Sequence, residues 1–170
     1  MKWYTFNDGG EDVPMVNMIL DHNTTSKIDL WSGIKSQITS DTSTWNSSLN
    51  ARLITANEVA KITENTKFDT SKRGQKWFCF DTNQSINSYC PEVQEISKYA
   101  WLFDYTAGCT SYGCNIADSS NNGYWTSSGY AEISYYLWYV GSDGSLKNRS
   151  YIEKLNGIRP VITVSKSVIS

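Results

Sequence analysis

The stretch YWTSSGYAEISYYLWYV, from Tyr124 to Val140, constrains the fold more than any other part of the chain. It holds seven aromatic residues and one ionised side chain, Glu132. A solvated loop of that length is mostly polar, and a core strand is mostly aliphatic and short. This segment is neither. Within YYLWYV, alternation puts Tyr136, Trp138 and Val140 on one side, and Tyr135, Leu137 and Tyr139 on the other. Both sides are apolar or amphipathic. A central strand covered on both faces has that pattern, and so does a strand whose outer face meets a ligand. Periodicity alone does not separate the two.

The rest of the C-terminal part also reads as strand. GYWTSS, YYLWYVGSDGSL and GIRPVITVSKSVI are each bounded by Gly, Asn, Ser or Asp, and SDGS at 142–145 is a hairpin signal with Gly144 free to take positive φ. Pro160 opens the apolar run VITV, where a missing N–H costs little. VNMILDHNT (16–24) reads as a strand entering a turn, and KYAWLFDY (98–105) as a further strand. WSGIKSQITSDTSTW offers Trp31, Ile34 and Ile38 for a marginal helix that needs packing to exist. TANEVAKIT is the clearest helix. Thr55 with Glu58 fits a capping box, Val59 and Ile62 supply the buried stripe, and Leu53 is available for a staple-like contact. From about 64 to 98 the chain is polar and loop-like, anchored by Trp77 and Phe78. The expectation is an α+β fold in one domain, 1–170, with two helices, irregular loops and a small C-terminal antiparallel sheet.

Composition removes several functions. A net charge of −2, with 19% charged residues, leaves no basic excess to pair with phosphates, so a nucleic-acid partner is not expected. No apolar run approaches a membrane helix, and KWYTFNDGGEDVP after Met1 lacks the apolar core of a signal peptide. The four cysteines, Cys79, Cys90, Cys109 and Cys114, allow three pairings. CTSYGC closes the shortest loop, Cys109–Cys114, and leaves Cys79–Cys90. Free core thiols are the alternative, and zinc is disfavoured because the first two cysteines are far apart and His22 is remote. Disulfides imply an oxidising, extracellular setting, with a leader removed.

ARLITANEVAKIT, KYAWLFD, YWTSS, LWYVGSDG and GIRPVITVSKSVI resemble segments of bacterial, often secreted or surface-borne proteins of Gram-positive gut organisms. Their layout is similar to the wider group with a C-type-lectin-like fold, including the formylglycine-generating-enzyme type. The motifs of that group match Arg52-Leu53-Ile54-Thr55 with Glu58, Tyr124 to Ser128, and Gly157-Ile158-Arg159-Pro160-Val161. Ile54 stands where proline is commoner. The resemblance implies that Arg52 and Arg159 hydrogen-bond across the domain ends, that Trp125 packs centrally and that Glu58 caps its helix. Formylglycine generation needs a reactive cysteine pair in the C-terminal part, and no cysteine follows Cys114.

Some members of this fold are diversified by retroelements in phages and bacteria, through adenine-directed changes that favour Tyr, Asn, Ser and Asp. The stretch 130–153 has that composition: Tyr130, Glu132, Ser134, Tyr135, Tyr136, Trp138, Asp143, Ser145, Asn148, Arg149, Ser150, Tyr151 and Glu153. Tyr and Trp give rigid amphipathic area at low entropy cost, and Ser and Asn give adaptable hydrogen bonds. These residues are the expected binding face of a non-catalytic domain for a protein or glycan ligand on a cell or phage surface, in an extracellular, cell-surface or virion setting. No cofactor, metal or catalytic residue is implied. One histidine supplies neither a converging iron site nor a hydrolase base beside a nucleophile elbow. The alternatives are a structural surface module, and a carbohydrate-active or calcium-dependent glycan-binding protein using Asp81, Asp104, Asp118 or Asp143.

Overall fold

The structure is a computed structural model. It describes residues 3–6, 14–20, 23–28, 33–46, 49–80, 93–94, 100–103, 123–141, 144–153 and 156–169. The fold is α+β. In chain order the elements are β1 (Trp3–Phe6), β2 (Met15–Leu20), β3 (Thr25–Ile28), α1 (Ile34–Asp41), α2 (Ala56–Ile62), β4 (Phe78–Phe80), β5 (Val93–Gln94), α3 (Ala100–Phe103), β6 (Tyr124–Gly129), β7 (Tyr136–Gly141), β8 (Ser145–Ser150), β9 (Asn156–Ile158), β10 (Val161–Ser165) and α4 (Lys166–Ile169).

Two sheets divide the strands. One is β1-β2-β10, antiparallel throughout; the other runs β3-β9-β6-β7-β8-β4-β5. The expected C-terminal antiparallel meander, β6-β7-β8, forms its centre. The sheet is larger and more mixed than expected, since β9 joins β6 in parallel and β3, β4 and β5 come from earlier in the chain. β4 and β5 also pair in parallel. The chain changes sheets between β9 and β10, at Arg159-Pro160, where the Pro160 carbonyl accepts from Leu20 N–H at 3.0 Å. Proline at such a crossing gives up no ladder donor.

Packing decides between a covered strand and an exposed one. Trp138 and Val140 join Tyr124, Leu146 and the α2 residues Ala56, Val59 and Ala60 in one buried cluster. Tyr139 joins Trp125, Leu53, Ile158 and Ile38 of α1 in another. The inner part of β7 is therefore a central strand with a helix side on each face, which is why its two faces are equally apolar. Trp125, Trp138 and Tyr124 are fully buried. Gly123, at φ 115, lies so close to β7 that an added Cβ would fall 1.7 Å from the Val140 carbonyl oxygen. No other residue fits there.

The two longest helices, α1 and α2, exist for different reasons. α1 has Gly33 at its N-cap with no side-chain cap, so packing must hold it, as its sequence predicts. Ile38 is buried, and Asp41 accepts from Thr24 Oγ1 and Gln37 Nε2, both at 2.6 Å. α2 has the predicted capping box: Glu58 N–H donates to Thr55 Oγ1 at 3.0 Å, and Thr55 N–H to Glu58 Oε2 at 2.8 Å. Ser128 of β6 adds a third cap, its Oγ accepting from Ala56 N–H at 2.9 Å. The TANE and YWTSS motifs are thus parts of one device.

Residues 100–103 correct an expectation. They form one helical turn, not a strand, and the Trp101 and Leu102 carbonyls accept from Arg159 Nη2 and Nη1, each at 3.0 Å. Consecutive carbonyls turned to one side are a helical feature, and a strand would alternate them. The single-turn helix leaves its carbonyls without intrahelical partners, and the guanidinium supplies the donors.

Candidate functional site

Four side chains carried by the resemblance are structural, and each is satisfied. Arg159 is fully buried; beside its two α3 contacts its Nε donates to the Leu20 carbonyl, and its guanidinium lies 5.2 Å over the Tyr124 ring. Tyr124 OH donates to the Leu102 carbonyl at 2.7 Å, and burial pushes its pKa up to about 12 despite the Arg159 charge beside it. Arg52 grips Glu58 through both guanidinium nitrogens, at 2.8 and 2.6 Å. Burial would raise the Glu58 pKa, but the hydrogen bonds from Arg52 and Thr55 outweigh it and hold it below the usual range. Trp125 Nε1 donates to the Ile28 carbonyl at 3.0 Å.

The expected binding face behaves differently along its length. Trp138, Ser145 and Ser150 are buried and so lie behind any surface rather than on it. Their burial follows from the register: Trp138 and Ser145 sit where β7 and β8 are covered by α2 and by β4. Tyr135 is 52% exposed, and Glu132, Ser134 and Glu153 are exposed as well. Tyr151 packs against the α1 cluster. Asp143 lies outside the described residues, as do Asp81, Asp104, Asp118, His22, Cys90, Cys109 and Cys114. Cys79, on β4, is buried and is not a free thiol.

Tyr130, Tyr136, Asn148, Arg149 and Glu153 converge on one cleft of about 710 Å³. Its opposite wall is a segment that sequence reasoning did not mark as functional, Gly74 to Trp77. The wall arises because β4 pairs with β8 only at Phe78↔Leu146 and Cys79↔Ser145. Beyond that point the two chains stand apart and the gap opens. Glu132 fixes its width: one carboxylate oxygen accepts from Gly74 N–H at 2.6 Å and the other from Tyr130 OH at 2.8 Å. The tyrosine hydrogen bond, then the Gly74 amide, lowers the Glu132 pKa, and the same bond raises that of Tyr130. Glu132 is therefore a clamp that shapes the cleft. No sequence signal linked it to Gly74, 58 positions away.

Aromatic rings lead from the core to this cleft. Phe68 meets Trp138 edge-on at 4.9 Å, Trp138 meets Tyr130 at 5.6 Å, and Tyr136 meets Tyr135 at 5.2 Å. Lys147 Nζ lies 5.2 Å over the Trp77 ring, and the Arg149 guanidinium 4.6 Å over Tyr139. A second groove, of about 660 Å³, lies on the α1 side and is lined by Ile34, Ile38, Leu53, Leu137 and Tyr151. Two of its polar side chains are engaged, since Arg52 grips Glu58 and Thr126 Oγ1 donates to the Trp138 carbonyl at 2.8 Å. The first cleft differs in holding a charged side chain, Arg149, with two nitrogens that make no hydrogen bond. Among the described residues no group of three or more His, Cys, Asp or Glu could hold a metal, and no helix is long and apolar enough to cross a membrane.

Residues 33–166 match the family described as a domain of unknown function, DUF6273. The chain belongs to the DUF6273 family. The DUF6273 span takes in α1, α2 and α3 and the whole β6-β7-β8 meander, with the cleft; β1, β2 and β3 precede it. No curated protein and no solved structure matches this DUF6273 chain.

Proposed function

We propose that this DUF6273 chain is a non-catalytic binding domain of C-type-lectin-like fold, acting outside the cell or on a cell or virion surface. Its ligand, a protein or glycan, meets the cleft between Gly74–Trp77 and the outer ends of β7 and β8. The observation that carries this reading is convergence. Tyr130, Tyr136, Asn148, Arg149 and Glu153, singled out by composition, line one cleft, although the fold could have scattered them. The lectin-like assignment is supported by the motif residues Arg52, Glu58, Trp125 and Arg159, which hold the jobs that the resemblance implies. The proposed pairs Cys109–Cys114 and Cys79–Cys90 would suit an oxidising setting.

The same reading makes the cleft the place where retroelement-directed changes would act. Sequencing the encoding locus across a host or phage population tests this. Codon changes should concentrate at adenines for Tyr130, Tyr135, Tyr136, Asn148, Arg149 and Glu153. Trp138 and Ser145 should stay fixed, because buried positions tolerate no such exchange, and the segment 50–63 should show few changes by comparison. Changes spread evenly over 50–63 and 130–153 would sink the diversified-face reading.

A further inference from the structure

Arg149 Nε and Nη1 are buried without a hydrogen-bond partner, and Arg149 lines this cleft; Trp138 Nε1 and Ser150 Oγ, also without one, belong to the same hairpin but do not line it. The register of β7 with β8 places Trp138 opposite Asn148, Leu137 opposite Arg149 and Tyr136 opposite Ser150, so all belong to the outer half of one hairpin. Asn156 also has an unpartnered amide, but it lies on β9 and does not line the cleft. Of these groups the arginine matters most, because buried nitrogens of a charged group with no hydrogen bond cost more than a desolvated hydroxyl.

Arg149 is pre-positioned. Its guanidinium is held over the Tyr139 ring, and Glu153 Oε2 stands 3.9 Å from Nε, too far for a hydrogen bond. Glu153 thus marks where an anion belongs without satisfying the site. The walls offer aromatic rings from Tyr130, Tyr136 and Trp77, an amide from Asn148 and a carboxylate from Glu153. Rings beside small polar groups suit the C–H face and hydroxyl rim of a pyranose. An extended peptide is disfavoured, since Lys76 and Trp77 wall the side of β8 where an added strand would pair.

We propose that the cleft receives a carboxylate-bearing sugar, a uronate, whose carboxylate pairs with Arg149 while its ring lies against the aromatic wall. The inference rests on the binding-cleft reading and adds the ligand class. A uronate supplies the acceptors that the guanidinium lacks and displaces the loose Glu153 contact. A neutral sugar would leave Nε and Nη1 without a charge-assisted hydrogen bond.

The test is a set of separate titrations of the full chain with sodium glucuronate, glucose, sodium acetate and triglutamate, followed by ¹H–¹⁵N spectra of the arginine Nε–H and indole N–H groups. Glucuronate should shift the Arg149 and Trp77 signals together and saturate at a concentration about tenfold below that of acetate, because the ring adds contacts to the charge-assisted pair. Arg149→Lys should weaken glucuronate about tenfold, since an ammonium cannot reproduce the planar fork. Glu153→Gln should tighten it by removing the competing carboxylate. Glucose shifting the same signals as strongly as glucuronate would overturn the anion assignment and leave the binding cleft standing. Tighter binding of triglutamate would overturn the sugar in favour of an acidic peptide. No shift with any of the four overturns the inference, while the codon survey judges the binding face independently.

Discussion

The same residue types appear twice in the molecule, once in its frame and once at or near its cleft. Arg159 spends its guanidinium on three carbonyls, whereas Arg149 has two buried nitrogens with no hydrogen-bond partner. Trp125 donates its indole N–H to Ile28, whereas the indole N–H of Trp138 has no partner. Glu58 is held by an arginine and a cap, whereas Glu132 holds a glycine amide and a tyrosine at the surface. Satisfied polar groups fix a structure, and an unsatisfied group at a cleft does not. The contrast between Arg159 and Arg149 separates the frame from the cleft better than burial does, because Trp125 and Trp138 are equally buried.

The arginine pair is where the contrast should be largest. Arg159→Met would leave the Leu20, Trp101 and Leu102 carbonyls without these donors in a buried site, and should cost about 3 kcal/mol or more. Arg149→Met removes the guanidinium from over Tyr139 and its loose 3.9 Å contact with Glu153, but breaks no hydrogen bond, so stability should fall by no more than about 1 kcal/mol. Urea denaturation of the two variants checks this. Equal losses would erase the distinction between frame and cleft.

How much of this was legible in the sequence follows the same division. The frame was, because its devices are local or carried by motifs: the Thr55–Glu58 cap, the β7–β8 hairpin with Gly144, and the motif positions of Trp125 and Arg159. The membership of the large sheet was not, since β4 has three residues and β5 two, too few for any period to register. AWLF read as a strand because its apolar run is compatible with either state; its contact with Arg159 is long-range and decides it. At the cleft, the wall from the C-terminal stretch was legible in its Tyr and Asn content. The Gly74–Trp77 wall was not, for its role arises only where β4 and β8 separate.

The tryptophan pair should show a smaller difference of the same sign. Both indoles are buried, so Trp→Phe removes comparable apolar area at either place. At Trp125 it also orphans the Ile28 carbonyl, and at Trp138 it removes a buried N–H with no partner. Trp125→Phe should therefore be the more destabilising by about 1–3 kcal/mol, the cost of a lost partner in the interior. Thermal or urea melts of the two variants measure it, and the reverse order would show that Trp138 Nε1 is satisfied after all.

The glutamate pair gives the smallest effect and the one that depends on pH. The folded pKa of Glu58 lies below its ordinary value, so the unfolded chain takes up its proton first as acid is added. Its contribution is complete above the unfolded value of about 4.3 and is lost as pH falls from there through the lower folded value. Glu58→Gln should thus be less stable than the unaltered chain at neutral pH, and the gap should close below about pH 4. Glu132 is also shifted down, but it is exposed, and solvent screens its contacts. Glu132→Gln should leave the pH dependence of stability unchanged. Its effect belongs in the cleft, where loss of the charge loosens Gly74 and Tyr130 and weakens glucuronate binding. A Glu132→Gln variant that shifts the acid-unfolding midpoint as far as Glu58→Gln would move this clamp from the binding site into the frame.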